Sequence, residues 1–302
     1  MNSLLPRRRF VQLGATWAAS TVLGRGAPTP RHAPLPDFVG VNVASFVRQN
    51  RSTDPAQHID PYDVPQVMRD ELDLRIIDLV TPMLDTREPA ALEKFRRRAE
   101  QAGCVITNLK VNLPALRFDS EDPATRRYGL DEYKRWIDAG AILGVRWLRP
   151  FPAAKPPRWE TLVAGYEELA DYAAPKGITL LVENYQWLDR EPATIPRLLK
   201  ALSGRVGAQP DTLNWVDNPT RLAGLAQTFP HALSCDFKVR ELGPNHEHPT
   251  YDLRACFEIG RQAGFRGPWC IEHIVPEKTT QLKNLKWIAG QLRAWTAQAR
   301  LG

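Results

Sequence analysis

The stretch Ile178-Thr179-Leu180-Leu181-Val182-Glu183-Asn184 is apolar except for Thr179 and ends on a carboxylate. Gly177, a helix-stopping residue, stands just before it. That pattern reads as a buried strand with a polar end. An amphipathic stretch lies on either side of it, Trp159–Ala174 before and Ile195–Ser203 after. The same pairing extends outward in both directions. Toward the N-terminus it runs Phe38–Val43 with Asp63–Leu72, Leu74–Val80 with Pro89–Ala102, Val105–Val111 with Leu130–Leu143, and Val145–Arg149 with Trp159–Ala174. Toward the C-terminus it runs Arg205–Gln209 with Pro219–Thr228, Ala232–Lys238 with Tyr251–Ala263, and Trp269–Ile274 with Thr279–Ala299. Strict alternation implies parallel strands joined by right-handed crossovers. Eight such pairs in about 265 residues is the arithmetic of a single (β/α)8 barrel. A doubly wound open sheet is the alternative, but no glycine-rich fingerprint follows the first strand (Val41-Asn42-Val43-Ala44-Ser45-Phe46). Nothing in the sequence marks a second domain, so residues 37–302 read as one TIM barrel.

The 302 residues carry 40 Lys+Arg against 34 Asp+Glu, a formal charge of +6. Four of those positive charges, Arg7, Arg8, Arg9 and Arg25, lie in residues 1–27, which hold no acid; the remainder keeps only +2. A nucleic-acid partner therefore has little electrostatic support on the folded body. Arg7-Arg8-Arg9-Phe10-Val11-Gln12 followed by the mildly apolar Leu13–Gly24 resembles a bacterial twin-arginine signal, with a Pro-rich linker at 28–36. The leader implies delivery to the periplasm by the twin-arginine machinery, with cleavage near Ala27 or Ala33. Replacing Arg7 and Arg8 by Lys is expected to strand the protein in the cytoplasm; undiminished periplasmic delivery on fractionation would refute the assignment. No other long apolar run exists, so no stable membrane anchor is expected. Cys104, Cys235, Cys256 and Cys270 lack CxxC spacing, which argues against a zinc knuckle or disulfide scaffold.

In a barrel of this kind, chemistry gathers at the C-terminal ends of the strands. Glu183 ends the fifth strand and Glu272 the eighth; Asp211 follows the sixth. On the seventh, Ser234, Asp236 and Lys238 share one face by the period of two. Four carboxylates on one rim repel one another and resist ionisation, which a divalent cation relieves. Oxygen donors suit Mg²⁺ or Mn²⁺, whereas an imidazole ligand would move preference toward Zn²⁺. Taken singly, each acid is better read as a strand-end partner for a nearby Arg or Lys; four in register point instead to the metal site.

Leu181-Val182-Glu183-Asn184, Val206 through Asn214, Phe237-Lys238, and Ala263 through Pro268 leading into Cys270-Ile271-Glu272 resemble the xylose isomerase-like TIM barrels, which include sugar and sugar-phosphate isomerases and epimerases. The resemblance implies a divalent metal held by Glu183, Asp211, a seventh-strand residue and Glu272, with the two glutamates moving protons. The sequence departs from the family pattern in two places. Asp236-x-Lys238 stands where a His-x-Lys pair is common, and Tyr185 where relatives often carry His.

His246 and His248, in the loop after the seventh strand, offer imidazoles, and His246 is the candidate to replace the missing seventh-strand ligand. Lys110, Arg149 and Lys238 are candidates for binding substrate or countering charge, and Trp187 for stacking on a sugar. His273, adjacent to Glu272, points to the opposite strand face and reads as structural. The expected activity is metal-dependent isomerisation or epimerisation of a free or glycosidic sugar through an ene-diolate. A keto-glycoside lyase and a non-catalytic sugar-binding barrel are the alternatives. An endonuclease acting at abasic sites is disfavoured by the low body charge and the six histidines of the whole chain.

Overall fold

The computed structural model describes residues 32–299. The leader assigned to residues 1–27, and the linker up to residue 31, lie outside them. From Pro34 onward the described chain is one compact unit. Eight strands, β1 (Val39–Asn42), β2 (Ile76–Val80), β3 (Val105–Val111), β4 (Trp147–Pro150), β5 (Thr179–Glu183), β6 (Val206–Gln209), β7 (Cys235–Lys238) and β8 (Trp269–Glu272), form one sheet in the order β6-β5-β4-β3-β2-β1-β8-β7. Every laddered neighbour is parallel, and the β1–β8 pairing rolls the sheet into a (β/α)8 barrel.

The ring is thinnest between β6 and β7. Among the described residues these two strands meet only through the bridges Ala208↔Ala232 and Asp211↔Asp236. Pro210 sits between the bridges and has no N–H to give a ladder. Its carbonyl still accepts from Asp236 N at 2.9 Å, and Thr212 N donates to Asp236 O at 3.0 Å.

The helices α1 (Val47–Asn50), α2 (Val64–Leu72), α3 (Pro89–Gln101), α4 (Pro123–Leu143), α5 (Trp159–Ala173), α6 (Thr194–Ala201), α7 (Asn218–Thr228), α8 (Leu253–Gln262) and α9 (Lys278–Ala299) fill the crossovers. Outward strand residues such as Val41, Leu79, Leu180 and Val182 join helix residues such as Met68, Phe95, Leu169 and Leu285 in one buried apolar cluster. Ile76, Leu181 and Cys270 are buried but stand outside that cluster. They lie two residues before Asp78, Glu183 and Glu272, so the strand period puts them inside the barrel, one layer below those acids.

Most elements match their expected bounds to within two residues; α4 does not. It starts at Pro123, seven residues ahead of the expected Leu130. Asp122 caps it by accepting from Thr125 N at 2.8 Å, and Pro123 takes the first helical position, where no N–H is needed. The first turns, Pro123–Tyr128, are mostly exposed and show no apolar periodicity, so the helical pattern is silent there. Gly129 lets this part of the helix press against the backbone of Arg117 and Phe118, where a Cβ would come within 2.6 Å of Arg117 C.

Candidate metal centre

Glu183, Asp211 and Asp236 bring one carboxylate oxygen each within 4.8 Å of one another, and all three side chains are buried. It is the only such group of potential metal ligands among the described residues. The strand period places Glu183 there, and the Pro210 interruption places Asp211. Immediately after the proline the chain turns, and Asp211 Oδ1 accepts from Leu213 N at 2.7 Å and Asn214 N at 2.9 Å. Asn184 clamps the same turn, accepting from Asp211 N and donating to the carbonyls of Asp211 and Asn214. Asp236 arrives across the seam by its bridge to Asp211.

The three basic residues singled out in the sequence all lie on these acids. Arg149 Nε is 2.8 Å from Glu183 Oε2. Lys238 Nζ lies between Glu272 Oε1 at 2.8 Å and Asp211 Oδ2 at 3.6 Å. Lys110 Nζ contacts Asp236 Oδ2 and lies 3.8 Å from Asp78 Oδ2. Asn42 ties the far side together, donating to Glu272 Oε2 at 2.8 Å and Asp236 Oδ1 at 3.3 Å. Below them Asn108 donates to Gln209, and Gln209 donates to Asp78.

Charge dictates how these groups titrate. Burial pushes the Asp211 carboxyl up to about 6, aided by Glu183 and Glu272 and opposed by Lys238. Burial likewise drives Asp236 well above the usual carboxylate range despite Lys110, and it raises Asp78. Glu183 goes the other way: burial works against its charge, but Arg149, Lys110 and Lys238 together overcome it and hold it low. Burial also works against the charge on both lysines, and their carboxylate partners more than compensate. Fully ionised, five carboxylates face three cations, leaving two negative charges in excess. Asp211 Oδ2 has no hydrogen-bond partner, and Glu183 Oε2 has only an ion pair that lacks hydrogen-bond geometry. Hard oxygen donors, two of them without hydrogen bonds, and a double negative excess fit one divalent cation.

Glu272 stands outside the 4.8 Å group, held apart by Lys238 and joined to Asp236 through Asn42. His246 is not in the group either: its ring stacks on Trp287 of α9 at 4.4 Å. His248 packs on Tyr251, and burial, with Arg221 nearby, pushes it down to about 4. Trp187 lies in the turn after β5, partly buried against the core. His273 is pinned on the outer face, with Nδ1 2.5 Å from Val239 O and Nε2 2.9 Å from Asn284. A carbonyl can only accept, so Nδ1 carries the proton and Nε2 takes one from the Asn284 amide. Asp78, Asn42, Asn108 and Gln209 were not singled out in the sequence. The available signal was a polar residue inside an apolar strand, plainest in Ile76-Ile77-Asp78-Leu79-Val80.

A (β/α)8 barrel with its acidic and basic groups interlocked at the C-terminal strand ends defines a TIM barrel with its candidate site in the usual place. The chain belongs to the xylose isomerase-like TIM barrel family, whose model matches residues 70–293. No curated protein sequence matches it. Among solved structures it is similar to L-ribulose 3-epimerase, with a TM-score of 0.65 and 17% identity over 87% of this chain and 97% of that one. It is also similar to D-psicose 3-epimerase with D-tagatose from Clostridium cellulolyticum H10, with a TM-score of 0.63 and 16% identity over 83% and 89%. A third is a xylose isomerase-like TIM barrel protein from Mycobacterium smegmatis in complex with magnesium, with a TM-score of 0.60 and 18% identity over 85% and 97%. At these identities the likeness is one of fold.

Proposed function

We propose that this barrel is a divalent-metal-dependent sugar epimerase or isomerase that moves a proton on carbon next to a carbonyl. The observation that carries the reading is the buried triad Glu183, Asp211 and Asp236, with the second glutamate, Glu272, held beside it. The family, the 3-epimerases of similar fold and the magnesium-bound relative support it.

Glu183, Asp211 and Asp236 would hold the ion, with Mn²⁺ or Mg²⁺ favoured by an all-oxygen set. When bound, such an ion supplies polarisation of the substrate's carbonyl and neighbouring hydroxyl, which lowers the cost of an ene-diolate. Glu272 borders an open cavity with Lys238, so it is placed to take the proton from carbon. Protonation of Glu272 would free Lys238 from its ion pair, so that this cation could offset the negative charge passed to the substrate. Glu183, three strands around the barrel, is kept ionised by Arg149 and is the second proton-handling group. Two glutamates on separate sides of the centre suit removal of a proton from one face and its return to the other, which is epimerisation.

Deuterium uptake from D2O into keto sugars tests this without knowledge of the product. Exchange is expected with Mn²⁺ or Mg²⁺, is abolished by EDTA, and returns when metal is added back. In the same titrations Asp211→Asn should weaken metal binding and His246→Ala should leave it unchanged. A barrel that binds metal and sugar yet exchanges no carbon-bound proton would be a sugar-binding protein instead.

A further inference from the structure

The rim around this centre is electrically lopsided. Arg48, Lys238, Val239, Arg240, Glu272 and Ile274 line a cavity of about 370 Å³. A second cavity shares Arg48 and Ile274 with it and adds Arg51. Arg48 and Arg51 follow β1, and Arg240 follows β7, so the three arginines come from strands flanking β8 and Glu272. All three are exposed, and among the described residues none forms an ion pair. This contrasts with Lys110, Arg149 and Lys238, each of which is tied to a carboxylate at the centre. Glu272 itself gives the arginines no partner, because its two oxygens are taken by Lys238 and Asn42. The other side of the mouth has a different character. Beyond β4 and β5, across the barrel from β1 and β8, Phe151 and Tyr185 meet edge to face at 5.4 Å.

We propose that the molecule this barrel takes is an acidic sugar, whose carboxylate or phosphate is gripped by Arg48 and Arg240 at the mouth of the cavity. A guanidinium with its donors unspent is a strong receptor for planar carboxylate or for phosphate oxygens. The anion would sit on the β7–β8–β1 side, the apolar face of the sugar would lie toward Phe151 and Tyr185, and the reacting carbons would fall between them, over Glu272. The location of the grip is independent of the proton chemistry; only the description of its ligand as a keto sugar rests on the function proposed above.

The test is calorimetric titration of the full-length, Mn²⁺-loaded protein with D-fructose, D-fructuronate and D-fructose 6-phosphate. At least one acid is expected to bind about tenfold more tightly than D-fructose, the return of one charge-assisted hydrogen bond. Whichever acid binds tighter identifies the anion as carboxylate or phosphate. Arg48→Gln and, separately, Arg240→Gln should each remove most of that preference, as should raised salt. Arg205→Gln removes the same charge at the opposite end of the barrel, where Arg205 pairs with Glu167 and Asp171, and should leave the preference intact. The two variants stand on different loops, so a folding defect in one leaves the other informative. Equal affinity for D-fructose and both acids overturns the proposal, as does a loss in either variant that is the same for neutral and acidic sugars. Tight acid binding without deuterium exchange would keep the anion grip and discard the epimerase reading. Exchange on D-fructose with no gain for either acid would do the reverse.

Discussion

Glu272→Gln is expected to cut deuterium exchange by about 10²- to 10⁴-fold, the usual contribution of a positioned general base. The amide keeps the size of the side chain and one oxygen to accept from Lys238, but it has no basic carboxylate to receive a proton. Metal affinity should stay close to that of the parent protein, because Glu272 stands outside the triad. The fold should persist with a lowered melting temperature, because Lys238 loses an ion pair and an amide cannot accept from both Lys238 and Asn42. Exchange rates and a melting curve on the same preparation separate the two effects. Exchange within severalfold of the parent would remove Glu272 from the chemistry and leave Glu183 as the remaining candidate.

Lys110→Met is expected to cost about 3–5 kcal/mol of stability, the usual result of stripping one partner from a buried ion pair. Lys110 is 1% exposed, and Asp78 and Asp236 are wholly buried. Methionine fills much the same volume as the lysine stem, so the loss reports charge rather than a cavity. Denaturant unfolding of the metal-free protein checks it, with Lys110→Met/Asp236→Asn as the companion. Neutralising Asp236 as well should recover part of the loss, because one of the stranded carboxylates is then gone. A single variant as stable as the parent would mean that Asp236 and Asp78 are already protonated when folded and need no cation.

The barrel was legible because its signal repeats. Each strand is a short apolar run, each helix an amphipathic stretch, and the alternation of the two leaves few topologies. Glu183 and Glu272 were visible for the same reason: each is a carboxylate closing an apolar run, where the barrel puts its working end. Asp78 escaped notice because it lies inside its strand rather than at the end, and an acid flanked by Ile and Leu has no end to mark it. The start of α4 was hidden by exposure, since a polar helical turn leaves no periodic trace and only the Asp122-Pro123 cap announces it. Pairings across the barrel were beyond reach. That Lys110 belongs to Asp236, or that Lys238 lies between Asp211 and Glu272, depends on strands far apart in the chain meeting at one level. His246 shows the converse. A His-x-His spacing suggested a ligand, but the loop turns its ring onto Trp287 of the last helix.

Pro210 does more than end a strand. It leaves the wall of the barrel with one joint fastened by two isolated bridges, and Asp211 and Asp236 face each other across that joint. An ion held by these two carboxylates would therefore act as a clasp on the weakest stave of the barrel, where the backbone supplies least. Occupancy and closure of the ring would then be coupled: whatever loosens the joint would loosen the grip on the ion, and bound ion would return the same free energy to the joint.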